Sequence, residues 1–248
     1  MIRVKTPREI EKMRRAGAIA AAARDLAGKL AVPGATTQAI DKEVEAFIRS
    51  QRAIPTCIGY CGYPAATCIS VNEVVVHGIP GKRVIKDGDL VSIDLDVGFE
   101  GYIGDCAATF IAGKARCDED VKLLSITRQA FYEGLKFARP GYRVSDISAA
   151  VQQFVEANGF SVIRDYVGHG IGVEMHEEPE VRNFGRPGHG ARLVRGMTIC
   201  IEPMVAAGDW PVRVLEDGWT AVTQDKKSVA HYENTVVVRG DGVEILTL

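Results

Sequence analysis

Five residues of this 248-residue chain have the types and spacing to hold metal: Asp94, Asp105, His169, Glu202 and Glu233. The first two lie in VSIDLDVGFEGYIGDC, residues 91–106, which reads as a β-hairpin. Val91, Ile93, Leu95 and Val97 alternate with Ser92, Asp94 and Asp96, so the acids share one face. A turn about Phe99 and Glu100, between Gly98 and Gly101, sets Asp94 opposite Asp105 with their Cβ atoms roughly 5 Å apart. Like charges so placed destabilise a sheet unless positive charge lies between them, and a divalent cation would supply it. Aspartates beside glycines also serve as plain turn residues, and a slip of one residue would separate the pair.

Three later segments add candidates. In YVGHGIGVEMH, residues 166–176, His169 stands between two glycines that allow close backbone approach, and His176 follows. In MTICIEPM, Thr198, Cys200 and Glu202 fall on one strand face and Ile199 and Ile201 on the other. In SVAHYENTVVVRG, His231, Glu233, Thr235 and Val237 share a face. Glutamate is depleted in strands and rarely buried unpaired, so Glu202 and Glu233 each require a partner. An arginine or backbone N–H groups would serve as well as a cation.

Four carboxylates and one imidazole are the wrong donors for a structural zinc, and too acidic for a single catalytic zinc with three ligands. Oxygen-rich sets suit manganese, iron, cobalt or a zinc pair. Two divalent ions roughly 3.5–4 Å apart, bridged by carboxylates, would balance the charge, an arrangement known from aminopeptidases among other hydrolases.

The elements that must position these residues are legible as well. Thr6 and Glu9 form a capping box with Pro7 at the first helical position, opening an alanine-rich helix to about Leu30. Pro33 and Gly34 break it, and a second helix from about Thr37 to Ser50 presents Ile40, Val44, Phe47 and Ile48 on one face. Asp118 is placed to cap a third helix running to about Ala138. Pro140 and Gly141 follow, and then a fourth helix lined by Ile147, Val151, Phe154 and Val155 ends at Asn158 and Gly159. The two Pro-Gly breaks are 107 residues apart, and the four apolar positions map across at that offset. Asp94 and Glu202 recur at nearly the same interval. The pattern predicts one domain over residues 1–248, built of duplicated α+β halves of approximately 1–115 and 116–248 that face a central cleft.

Composition narrows the function classes. A formal charge of −2 gives no electrostatic case for nucleic acid or an anionic membrane, and 46% hydrophobic residues suffice for a substantial core. No apolar run reaches membrane-spanning length, and MIRVKTPREIEKM at the amino terminus resembles neither a signal nor a transit peptide, so a cytoplasmic protein is expected. The six cysteines form no CxxC pair and are expected as free thiols.

Taken in order, NEVVVHGIP at 72–80, the pair Asp94 and Asp105, GHGIG at 168–172, MHEEP at 175–179, IEPM at 201–204 and HYENTVVV at 231–238 resemble the methionine aminopeptidases. The likeness is to the short bacterial-type form of the pita-bread metallopeptidases and covers nearly the whole chain. It implies an α+β fold of two pseudo-symmetric halves, helices packed on antiparallel sheet around a metal cleft, and two divalent ions drawn from cobalt, manganese, iron(II), zinc or nickel. It further implies that Asp94, Asp105 and Glu233 hold one ion and Asp105, His169, Glu202 and Glu233 the other. His77 and His176 match the family's two non-ligand histidines, which contact the scissile peptide and its tetrahedral intermediate. Positions matching Cys57, Tyr60, Tyr63, Cys68, Met175 and Trp219 would wall the pocket for the substrate methionine. Many relatives carry His at Cys61 and Phe at Met175, which leaves the pocket's width open.

The implied activity is removal of the amino-terminal methionine from peptides and nascent proteins with a small second residue. A bridging hydroxide would attack the scissile carbonyl, with Glu202 as general base and the two histidines as oxyanion donors. The resemblance also implies a monomer and contact with the ribosome. Proline-specific aminopeptidases share the fold but usually carry a further amino-terminal domain. Creatinase-like relatives and binding proteins of the same fold dispense with metal, whereas all five ligand positions are filled in this chain.

Overall fold

Thr6 opens the first helix with the expected capping box. Its hydroxyl accepts from the Glu9 N–H at 3.4 Å and the Glu9 carboxylate accepts from the Thr6 N–H at 2.7 Å. The computed structural model describes residues 2–248. Helices α1 (Pro7–Leu30) and α2 (Thr37–Ser50) have the predicted bounds. Helix α3 (Asp118–Leu135) differs at both ends. Cys117 holds the cap position and Asp118 is the first helical residue, so Asp118, Glu119 and Asp120 act through the positive end of the helix and not as a side-chain cap. The helix stops at Leu135, not Ala138, because the N–H groups of Phe137 and Ala138 turn back three residues, to Gly134 and Leu135, ahead of Pro140. Helix α4 (Val144–Ala157) ends at Asn158 as expected.

A nine-stranded antiparallel sheet forms the centre. Its main path runs from Ile54–Pro55 through Leu90–Phe99, Tyr102–Ile111, Glu233–Val238, Thr198–Ile201 and Gly168–Gly170 to Glu177–Val181. The hairpin Leu90–Phe99/Tyr102–Ile111 corrects the expected register. Phe99 pairs with Tyr102, so Asp96, not Asp94, lies opposite Asp105, and Asp94 faces Ala107. The cause is the turn: Glu100 and Gly101, with φ of 48° and 80°, take the two left-handed positions that a tight hairpin demands. Phe99 remains in the strand. The shift is by two residues, so Asp94 keeps its face and is a diagonal neighbour of Asp105.

Two segments expected as single strands are broken side by side. Thr198–Ile201 ends before Glu202 and Pro203, and Met204–Ala206 continues in a separate three-stranded sheet. SVAHYENTVVVRG divides at Tyr232 into Val229–His231 and Glu233–Val238. The Tyr232 N–H leaves the ladder for the Pro203 carbonyl at 3.2 Å, and its ring packs against Phe131.

The helices back the sheet. Ile93, Leu95 and Val97, the residues between the hairpin acids, share a core with Ala20, Ala23 and Ala27 of α1 and Ile40 and Val44 of α2. Ile199, Ile201, Val236 and Val238 share another with Phe131 of α3 and Ile147 of α4. Burying one such side chain stabilises by roughly 1.5–3 kcal/mol. Backbone contact is tight where α1 crosses the hairpin: a Cβ on Gly104 would meet the Gly17 nitrogen at 2.6 Å. The face opposite these cores is left for the acids.

Candidate metal centre

The five sequence-derived candidates come from five successive neighbours in the sheet. Asp94 and Asp105 stand on the hairpin, Glu233 opens the next strand, Glu202 follows the end of the fourth, and His169 is the middle residue of Gly168–Gly170. All five line one cavity of about 180 Å³. His169 Nε2 lies 3.6 Å from Asp105 Oδ2 and 3.5 Å from Glu202 Oε1. Donor atoms of Asp105, His169, Cys200 and Glu233 all fall within 4.8 Å of one another.

Local structure fixes these positions. A Cβ on Gly168 would meet the Cys200 carbonyl at 2.4 Å, and one on Gly170 the Glu178 carbonyl at 2.2 Å, so only glycine fits on either side of His169. His169 Nδ1 lies 3.0 Å from the Gly170 carbonyl. A carbonyl only accepts, so Nδ1 carries the proton and Nε2 turns a lone pair to the acids. Thr235 Oγ1 accepts from the Asp105 N–H at 3.0 Å and donates to its carbonyl at 2.9 Å, clamping that residue. Asn183 donates to the Glu202 carbonyl at 3.0 Å.

The electrostatics call for a cation. Burial first, and Asp96 second, push Asp94 up to about 8. Burial and the neighbouring carboxylates hold Asp105, Glu202 and Glu233 well above the ordinary range. Desolvation lowers His169 to about 3 and His77 to about 4, leaving both neutral at pH 7. Among the described residues that line the cavity none is Lys or Arg. Asp105 Oδ1 and Glu233 Oε1 are buried without a hydrogen-bond partner. Unpartnered oxygens, converging acids and a lone pair on neutral imidazole fit divalent metal.

The remaining expected site residues reach the same cavity: His77, His176, Cys57, Tyr60, Tyr63, Cys68, Met175 and Trp219. His176 Nδ1 meets Tyr60 Oη at 2.6 Å, and its ring lies 4.3 Å from that of His169. His77 sits at φ 58°, an uncommon conformation for a residue with a Cβ, with its ring edge-on to Tyr166 and Trp219. Cys61 is exposed, and among the described residues all six cysteines are free thiols. Two further polar groups, not among the expected site residues, join the cluster. Asp96, raised by burial to about 6, faces Asp105 across the hairpin and accepts from the Cys57 thiol at 3.5 Å. His231 approaches Glu202 and Glu233 from the second sheet. Asp96 is legible in its alternation with Asp94 and His231 in the face it shares with Glu233; the break at Tyr232 that brings His231 in from the second sheet leaves no sequence signal.

Residues 11–240 match the model of metallopeptidase family M24. The chain is 49% identical to a methionine aminopeptidase of Clostridium acetobutylicum over 100% of this chain and 99% of that one. It is 45% identical to that of Escherichia coli K12, covering 100% and 94%. The chain belongs to metallopeptidase family M24 and, within it, to the methionine aminopeptidases. The crystal structure of the Thermotoga maritima methionine aminopeptidase superposes with a TM-score of 0.98 at 48% identity, covering 100% of this chain and 99% of that one. A prolidase from Pyrococcus horikoshii at 22% identity and TM-score 0.80 shares the fold, with this chain covering 63% of its length. The fold is therefore the pita-bread α+β fold expected from the motifs, and the protein is an aminopeptidase of the metal-dependent hydrolases. Among the described residues, no helix is long and apolar enough to cross a membrane.

Proposed function

We propose that this chain removes the amino-terminal methionine from peptides and nascent proteins whose second residue is small, using two divalent ions. The observation that carries the reading is the convergence of Asp94, Asp105, His169, Glu202 and Glu233 in one cavity whose remaining lining, Asp96 apart, is apolar or aromatic. Asp94, Asp105 and Glu233 would hold one ion and Asp105, His169, Glu202 and Glu233 the other. Bound there, the pair would supply Lewis acidity that acidifies water and polarises a carbonyl.

The chain's own residues would do the rest. Glu202, raised by burial, would take the proton from the attacking water on a carboxylate oxygen and return it to the leaving amine. Tyr60 Oη lies against His176 Nδ1, and with the hydroxyl as donor the His176 proton would sit on Nε2, from which it would donate to a developing oxyanion. His77, held between the Tyr166 and Trp219 rings, is a second donor at fixed position. Tyr63 packs its ring on Trp219 at 5.0 Å with its hydroxyl tied to the Thr67 and Gly78 carbonyls, which leaves an apolar edge for a thioether. Met175 adds a polarisable wall. A second residue lying beside His77 and the cluster of acids would have to be small.

The same reading makes residues 1–248 one catalytic domain of two related halves, approximately 1–115 and 116–248. Helices α1 and α2 in one half and α3 and α4 in the other covering the same sheet support it. It also places the protein in the cytoplasm, as a monomer that meets nascent chains at the ribosome. Steady-state rates on Met-Xaa-Ser peptides test the specificity. Gly, Ala and Ser at Xaa should be cleaved and Lys, Glu and Phe not. Equal rates on Met-Ala-Ser and Met-Lys-Ser, or a preference for Xaa-Pro peptides without methionine, would overturn it.

A further inference from the structure

One imidazole beside the acids has no part in the chemistry above. His231 is only 2% exposed, and its Nε2 is buried without a hydrogen-bond partner. That nitrogen lies 3.9 Å from Glu202 Oε2 and 3.9 Å from Glu233 Oε2. The residue is rigidly placed. Thr109 Oγ1 accepts from the His231 N–H at 2.8 Å and donates to its carbonyl at 2.9 Å, and Ser92 holds the Thr109 hydroxyl in turn at 2.8 Å. The strand Val229–His231 pairs with Met204–Ala206, so the ring arrives from the flanking sheet and not from the strand that carries Glu233. An unpartnered buried nitrogen is costly, and a hydrogen bond in the working state would recover that cost.

Glu202 thus stands between two imidazoles that address different oxygens: Oε1 faces His169 and Oε2 faces His231. A cation held by Asp105, His169 and Glu202 would draw on Oε1, the oxygen on the His169 side. Oε2 is then left for a proton donor. We propose that His231 is a positioning residue whose Nε2–H engages the outer oxygens of Glu202 and Glu233, fixing the orientation in which Glu202 binds metal and receives the proton. Groups that hold metal ligands from behind typically affect affinity or activity by 10–100-fold.

The inference rests on the two-metal reading, which the metal stoichiometry of the wild type tests separately. Calorimetric titration with Mn(II), X-ray absorption on the Co(II) form and steady-state kinetics would be applied to the wild type, His231→Leu and His231→Gln. His231→Leu should bind the same number of ions about 10–100-fold more weakly and lose kcat by a similar factor at unchanged KM. His231→Gln, which keeps an N–H of similar reach, should recover most of both losses. X-ray absorption should show one imidazole per metal pair in every form. If His231→Leu does not fold, His231→Asn, with a shorter amide, should show the same losses. Unchanged affinity and kcat in His231→Leu or His231→Asn would overturn the proposal. So would a wild-type site with two imidazoles of which a His231 variant loses one, since His231 would then be a ligand itself.

Discussion

Removing the metal should make the protein less stable as the pH rises from 7 to 8.5, the reverse of what paired carboxylates ordinarily do. Asp94 carries a folded pKa of about 8 against an ordinary 3.8. A carboxyl raised on folding contributes stability that is complete below its unfolded pKa and is lost as the pH climbs through the folded one. At 2.303RT per proton and pH unit, Asp94 alone gives up about 1 kcal/mol across this window. Asp105, Glu202 and Glu233 are raised from the same cause and act in the same direction. Asp96, at about 6, is already ionised and adds little. The histidines oppose. His77, His169 and His231 are held down at about 4, 3 and 3, so stability grows while their unfolded forms shed the last protons. That gain is about 0.5 kcal/mol in total. The carboxyls therefore win, and at roughly 2–4 °C per kcal/mol for a chain of this size the melting temperature should fall by a few degrees.

The assay is circular-dichroism melting of chelated protein, its metal content checked by elemental analysis, at several pH values in the window. Above pH 8.5 the buried thiols of Cys57, Cys68 and Cys200 begin to add the same sign and would obscure the cause. Saturating Mn(II) or Co(II) should raise the melting temperature throughout and abolish the fall, because the cation replaces the protons and binds the folded state. A metal-free melting temperature that stays level or rises between pH 7 and 8.5 would refute the electrostatic account of the cluster.

Other outcomes follow from the same geometry. Glu202→Gln should lower kcat by at least about two orders of magnitude, within the usual 10²–10⁴-fold share of a general base, with the fold intact by circular dichroism. His176→Ala should lower kcat while the metal-to-protein ratio stays at the wild-type value; loss of one equivalent would mean that His176, not His169, is the ligand. Gly170→Ala drives a Cβ to 2.2 Å from the Glu178 carbonyl, and backbone cannot swing aside as a side chain can. It should cost on the order of 1–3 kcal/mol in denaturant melts and weaken metal binding by displacing His169. Norleucine should replace methionine within about two orders of magnitude in kcat/KM, since an apolar pocket separates near-isosteres by only about 1–3 kcal/mol.

What was legible in the sequence divides along physical lines. Local rules carry the helices: the Thr6–Glu9 box and the first Pro-Gly break mark approximate bounds for α1 and α2 that agree with the observed Pro7–Leu30 and Thr37–Ser50. Period-two alternation carried the faces, and so Asp94, Glu202 and Glu233 were recognised as inward acids even though the hairpin register was off by two. Register depends on which two residues accept a positive φ: the expected turn centres on Phe99 and Glu100, whereas Glu100 and Gly101 take the left-handed positions and Phe99 stays in the strand. The breaks at Pro203 and Tyr232 escaped because they depend on contact between two segments far apart in the chain: the Pro203 carbonyl captures the Tyr232 N–H. His231, expected on one face with Glu233, reaches the acids from the flanking sheet for that reason. Asp96 was missed for another: once the register was taken to pair Asp94 with Asp105, the neighbouring acid had no counterpart.

Release of free methionine from Met-Ala-Ser, measured by mass spectrometry against metal added back to chelated protein, tests the central claim most directly. Protein shown to be metal-free should release none, release should recover as cobalt, manganese or iron(II) is restored, and the same peptide with its amino group acetylated should yield none at any metal level. Full activity in verified metal-free protein, or equal cleavage of the acetylated peptide, would contradict it.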